Sequence, residues 1–118
     1  MTKVLTEILN ELKTIKGVVS VTLVSRSGMF IAGDFPENTH SEVYAAMSAI
    51  ILGAAEATAI EAKLELSHAS IDYITSHQYL FGCGTKAILV LFSSELIDIK
   101  EKKNQILDII DKINENIG

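Results

Sequence analysis

The chain has 118 residues, a formal net charge of −5, 48% hydrophobic side chains, one proline and one cysteine. This length fits a single domain, residues 1–118, and the composition belongs to a packed globular chain rather than a disordered one. No basic patch supplies the electrostatic footprint of a nucleic-acid or anionic-membrane binder, and a lone thiol, Cys83, excludes an internal disulfide.

The first segment, TKVLTEILNELKTIKG, predicts a helix. Leu5, Ile8, Leu9, Leu12 and Ile15 recur at helical spacing, Thr2 can cap the start and Gly17 ends it. It is charged and amphipathic, without the apolar core and cleavage site of a signal peptide, so a cytoplasmic protein is expected. Next come VVSVTLV, the turn formers SRSG and then MFIAGD, which predict a β-hairpin of Val18 to Val24 and Met29 to Asp34 around Gly28. The loop FPENTHSE follows, and Thr39 and Glu42 have capping-box spacing at the start of a second helix.

That helix contains YAAMSAIILGAAEATAIEA, Tyr44 to Ala62, in which Ser48 is the only plainly hydrophilic residue before Glu56. An ordinary surface helix keeps one face wet. Glu56 and Glu61 interrupt the apolar run, leaving it short of the roughly 20 clean residues of a membrane span. ASIDYITS and YLFGCG predict two further strands linked around His77 and Gln78. After a turn at Gly84 and Thr85, Ala87 to Phe92 is apolar without alternation, the mark of a central strand buried on both faces. In the last helix Ile99, Ile106, Ile110, Ile113 and Ile117 form one stripe, and Asp98 and Glu101 have capping-box spacing.

The order α-β-β-α-β-β-β-α with a doubly buried strand predicts an α+β sandwich, a five-stranded sheet covered by helices on both faces. The outer helices have single stripes and can share one face, leaving the other to the middle helix. On a helical projection, Val43, Met47, Ile50, Ile51, Ala54 and Thr58 gather on one side, which is assigned to the sheet. Glu42, Glu56 and Lys63 form a narrow wet edge opposite. Beside it lie Ala46, Ala49, Gly53, Ala57 and Ile60, nearly all small, so a second helix can approach closely. A mid-helix glycine costs about 1 kcal/mol relative to alanine unless something packs on it. These five residues are the candidate dimer interface, with a second copy of the same helix as the partner across a two-fold axis.

At GVVSVTLVSRSGMFIAGD, the alanine-rich AAMSAIILGAAE and the strand AILVLF, the chain resembles the Roadblock family, named after a dynein light chain. Gly17, Val18, Leu23, Val24, Ser25, Gly28, Ile31 and Ala32 match the family pattern position by position; Ser20 and Val21 replace its common Gly-Ala, and Ser27 its Asp. The resemblance implies an antiparallel sheet of order 2-1-5-4-3. It also implies homodimers or heterodimers joined through the middle helix and third strand, with no enzymatic chemistry. Such domains serve as platforms that bind and regulate small Ras-like GTPases, or as subunits of larger assemblies.

Signals for chemistry are weak beside this. Ser70, Asp72, Ser76 and His77 share one strand and its turn, but nothing marks an oriented base or an oxyanion hole. His40, His68 and His77 are scattered, without metal-ligand spacing. GCGTK lacks the full phosphate-loop spacing and joins two strands. Cys83, in an apolar stretch, reads as a buried inert thiol. No cofactor or metal is expected. Arg26, the only arginine, reads as a solvated turn residue, with an arginine finger toward a GTPase as the alternative. Arg26, Glu42, Glu56 and Lys63 are the candidate partner contacts. The functional expectation is a non-enzymatic homodimeric regulator or scaffold for a small GTPase. A structural subunit of a larger assembly and a small-ligand sensor are the alternatives.

Overall fold

The computed structural model describes residues 2–117. In chain order these form α1 (Thr2–Asn10), a 3₁₀ helix (Glu11–Thr14), β1 (Val18–Ser25), β2 (Phe30–Gly33) and α2 (Ser41–Ala62). Then follow β3 (Ala69–Asp72), β4 (His77–Cys83), β5 (Ala87–Ser93) and α3 (Ile99–Asn116). The five strands make one sheet of order β2-β1-β5-β4-β3 with every pairing antiparallel, the expected α+β sandwich topology.

Register explains how one sheet carries two cores. Leu23 pairs with Leu89, which pairs with Phe81; Val21, Leu91 and Tyr79 form the next row on the same face. Those side chains meet Leu5, Leu9 and Leu12 from the N-terminal segment and Ile106, Ile109 and Ile113 from α3. The alternate rows, Val24–Ile88 and Val90–Leu80–Ala69, point the other way and meet Ala45 and Leu52 of α2. β5 is therefore apolar at successive positions because both its faces are covered.

Local details depart from expectation in three places. The expected cap at Thr39 is not formed: His40 occupies the N-cap position of α2, without a side-chain cap hydrogen bond. At α3 the expected box is half present, with the Asp98 carboxylate accepting from the Glu101 amide at 3.2 Å. His77 and Gln78 belong to β4, and the hairpin closes earlier, where the Tyr73 amide donates to the Ser76 carbonyl at 2.8 Å. α2 ends at Lys63, which adopts left-handed geometry (φ 58°). The Lys63 and Leu64 amides close back on the Ile60 and Ala59 carbonyls, a Schellman arrangement that usually takes glycine.

Gly33 (φ +96°) lies where a Cβ would fall 2.2 Å from the Val21 carbonyl oxygen and 3.1 Å from Leu9 Cδ1. Gly33→Ala should therefore cost about 2–5 kcal/mol from combined strain and overpacking. Lys63→Gly should instead stabilise by about 1 kcal/mol, by removing left-handed strain. Urea unfolding of the two variants should give midpoints on opposite sides of the parent.

Candidate functional site

The middle helix is the site to be explained. Its sheet-facing side carries Ala45, Ser48 and Leu52, each buried, with Tyr44, Ala49 and Ile51 packed beside them. This overturns the face assigned from sequence: Val43, Met47 and Ile50, expected inward, are 53%, 46% and 60% exposed. Ala54 and Thr58 are exposed as well, and only Ile51 of that set is partly covered. The physical reason lies in the surface beneath. Leu80, Ile88 and Val90 form the sheet's face, and the helix meets them with the small Ala45 and Ser48 and with Leu52, which lets its Ala45 side come close. The bulk is turned outward.

Polar bonds complete the seat. Ser48 Oγ donates to the Tyr44 carbonyl at 2.8 Å. Gln78, buried on β4, donates to the Tyr44 hydroxyl at 3.3 Å and accepts from the Tyr73 hydroxyl at 2.7 Å. Burial pushes the Tyr44 phenol well above its usual value.

The five candidate interface residues divide between two environments. Ala46 and Ala49 are partly buried against the β1–β2 turn, where a Cβ on Gly28 would lie 3.1 Å from Ala46 Cα and 3.6 Å from Ala49 Cβ. Their small size is thus used within the chain. Gly53, Ala57 and Ile60 are exposed, Ile60 at 79%, and a Cβ on Gly53 would meet nothing within 4 Å. Together with Val43, Met47, Ile50 and Ala54 they make an apolar outer surface along α2. Only 17% of the helix's most apolar stretch is buried, and by length and composition it is apolar enough to cross a membrane. The two glutamates that interrupt the run do not disqualify it on those criteria. Sequence reading misses Val43, Met47 and Ile50 as outer-face residues because their size argues for burial.

The candidate partner contacts also separate. Glu42 is exposed, and Lys63 is the left-handed cap. Glu56 is not on a wet edge: its carboxylate accepts a hydrogen bond from Arg26 Nη1 in a partly buried pair. Arg26 Nη2 donates to the Gly84 carbonyl at 2.7 Å. Arg26 is therefore not a solvated turn residue, since its guanidinium is tied between α2 and the β4–β5 turn.

The arrangement offers little for catalysis. His77 Nδ1 lies 2.8 Å from Asp72 Oδ1, while Ser70, on the same strand as Asp72, is exposed. Among the described residues no group of three or more His, Cys, Asp or Glu side chains is placed to hold a metal. His68 stacks on Phe81 with ring centroids 5.3 Å apart, and desolvation lowers its pKa. Burial pushes the Cys83 thiol up to about 12, against smaller opposing effects from Arg26 and a Leu89 backbone hydrogen bond. Gly84 to Lys86 connect β4 to β5 as a strand-to-strand turn.

The Roadblock/LC7 domain family model matches residues 4–93, and the chain belongs to that family. No curated protein matches the sequence. Among solved structures, a Roadblock/LC7 domain from Streptomyces avermitilis is similar at 10% identity and TM-score 0.79, covering 93% of this chain and 94% of that one. The gliding protein MglB from Thermus thermophilus is similar at 18% identity and TM-score 0.80, with coverage of 97% and 88%. MglB from Myxococcus xanthus is similar at 16% identity and TM-score 0.80, with coverage of 94% and 92%. A further MglB structure has a tetrameric arrangement. At these identities the likeness shows the shared fold.

The reversed helix face gives an opposite pair of expectations. Leu52→Ala should cost about 2–5 kcal/mol, whereas Met47→Ala should change monomer stability by no more than about 0.5 kcal/mol, both read from denaturant midpoints at low protein concentration. Cys83 should resist alkylation at neutral pH and react once the chain is unfolded, as followed by mass spectrometry.

Proposed function

We propose that this Roadblock/LC7 domain is a non-enzymatic platform that pairs with a second copy through the outer face of α2. The paired form then binds and regulates a small Ras-like GTPase. The observation that carries the reading is Val43, Met47 and Ile50 standing in solvent on a helix whose other side is seated on the sheet. Contiguous apolar surface of this kind marks an interaction site.

The distribution of side-chain sizes favours a second copy. The large residues Val43, Met47 and Ile50 occupy the first half of the outer face, and the second half carries the small Gly53, Ala54 and Ala57, with one large residue, Ile60, toward its end. A two-fold axis that sets two such helices antiparallel places the large half of each against the small half of the other. A bilayer surface is a poorer match, because Ser41–Ala62 contains no lysine or arginine and three glutamates. β3 is an edge strand of only four residues, and a partner's β3 can extend the sheet there, as the family resemblance implies. The tetrameric MglB structure supports self-association as a use of this fold. The GTPase rests on the family resemblance and on the fold shared with the gliding protein MglB. Absence of chemistry rests on the family's character as a protein-interaction fold.

Light scattering should report a dimer for the parent chain and a folded monomer for Ile50→Glu. Gly53→Leu should weaken pairing by more than about thirtyfold while leaving the monomer intact. A monomeric parent would overturn the homodimer. Pull-down by the tagged chain from source-cell lysate, with GTP analogue or GDP, should recover a Ras-like GTPase with one nucleotide preferred. Recovery of a multi-subunit assembly without a GTPase would replace the regulator by a structural subunit.

A further inference from the structure

α2 is held to the sheet very unevenly along its length. Its three buried residues, Ala45, Ser48 and Leu52, all lie in the first twelve positions of a 22-residue helix. From Gly53 to Ala62 every residue is exposed or only partly covered. In this distal half the charged contact to the rest of the fold is Glu56 with Arg26.

Arg26 is built into that position from three sides. Its backbone amide donates to the Lys86 carbonyl at 3.1 Å, continuing the β1–β5 ladder past the end of β1 and fixing where the side chain starts. Nη2 is held by the Gly84 carbonyl, and Nη1 reaches Glu56. Beneath it lies Gly82, where a Cβ would fall 2.8 Å from Nη2 and 3.3 Å from Glu56 Oε2. A Cβ at position 82 would press on the end of the guanidinium, which would have to shift. Arg26 Nε is buried without an acceptor, a cost carried by the same placement.

We propose that Arg26, Glu56 and Gly82 form a pin that fixes the distal half of α2 on the sheet, and that releasing it lets residues 53–66 swing away while residues 41–52 stay seated. The physical basis is the contrast between the two halves: burial of Leu52 and its neighbours anchors the first, and one partly desolvated, doubly bonded arginine anchors the second. The pin also sets the direction in which Gly53, Ala54 and Ala57 face. Resting on the pairing proposed above, it follows that the pin presents the small-residue half of the interface, so Arg26 is a positioning residue for self-association.

Hydrogen exchange tests the pin independently of pairing when every variant carries Ile50→Glu, which keeps all chains monomeric. Arg26→Ala should speed amide exchange in residues 53–62 by about tenfold or more while residues 41–52 change by less than about twofold. Glu56→Ala removes the carboxylate end of the pair and should give the same regional pattern. Exchange in residues 53–62 left unchanged by both variants, or raised equally along the whole helix, would overturn the pin. Without Ile50→Glu, both variants should weaken dimerisation in sedimentation. Faster regional exchange with undiminished dimerisation would overturn the link to pairing and sustain the pin, and a parent monomer would sink the pairing reading alone.

Discussion

The seating of α2 on the sheet face formed by Leu80, Ile88 and Val90 decides which side of the helix is left to solvent. On its sheet-facing side the helix contributes Ala45, Ser48 and Leu52 as its buried residues, with Tyr44, Ala49 and Ile51 packed beside them. Val43, Met47 and Ile50 are turned outward. An exposed greasy face is thus a consequence of how the inner face packs. It is also the property that a pairing surface requires.

The opposite face of the sheet makes this arrangement sustainable. The N-terminal helix and α3 bury Leu5, Leu9, Leu12, Ile106, Ile109 and Ile113 against Leu23, Leu89, Leu91 and Phe81 in a continuous core. That core is much the larger of the two, so most hydrophobic stabilisation resides on the side of the sheet away from α2. α2 can then be held by a modest apolar patch and polar contacts: the Tyr44–Gln78–Tyr73 chain near its start and Arg26–Glu56 beyond its middle. Such bonds depend on geometry, and they orient a helix more sharply than alanine packing alone.

Much of the fold is legible in residue patterns. The β-branched run of β1, the unbroken apolar run of β5 and the isoleucine stripe of α3 each point to an element that the structure contains. Ile109 escapes that stripe because it lies at its margin, where a few degrees of helix rotation decide burial. The cap at Thr39 and the turn at His77 and Gln78 are misplaced for a different reason. Short polar residues fit several turn geometries, and the pairing of Asp72 with His77 selects the tighter hairpin. The surface is only half legible. Gly53, Ala57 and Ile60 stand out because small residues beside a wet edge break the usual pattern, while Val43, Met47 and Ile50 fall on the wrong side.

Residue patterns alone establish the order of elements, the two-sided burial of the central strand, the family resemblance and the excess of apolar surface on one helix. Each of these is a local or periodic property that a chain carries before it folds. Which side of α2 meets the sheet, and where Arg26 goes, are settled only by packing in three dimensions. A helix that is apolar nearly all round has no preferred inward face of its own, so its rotation is set by the shape of the surface it lands on. Arg26 and Glu56 are thirty positions apart, and Gly84 is fifty-eight from Arg26. Nothing in their spacing announces a contact; the antiparallel sheet brings the two turns together beneath the helix.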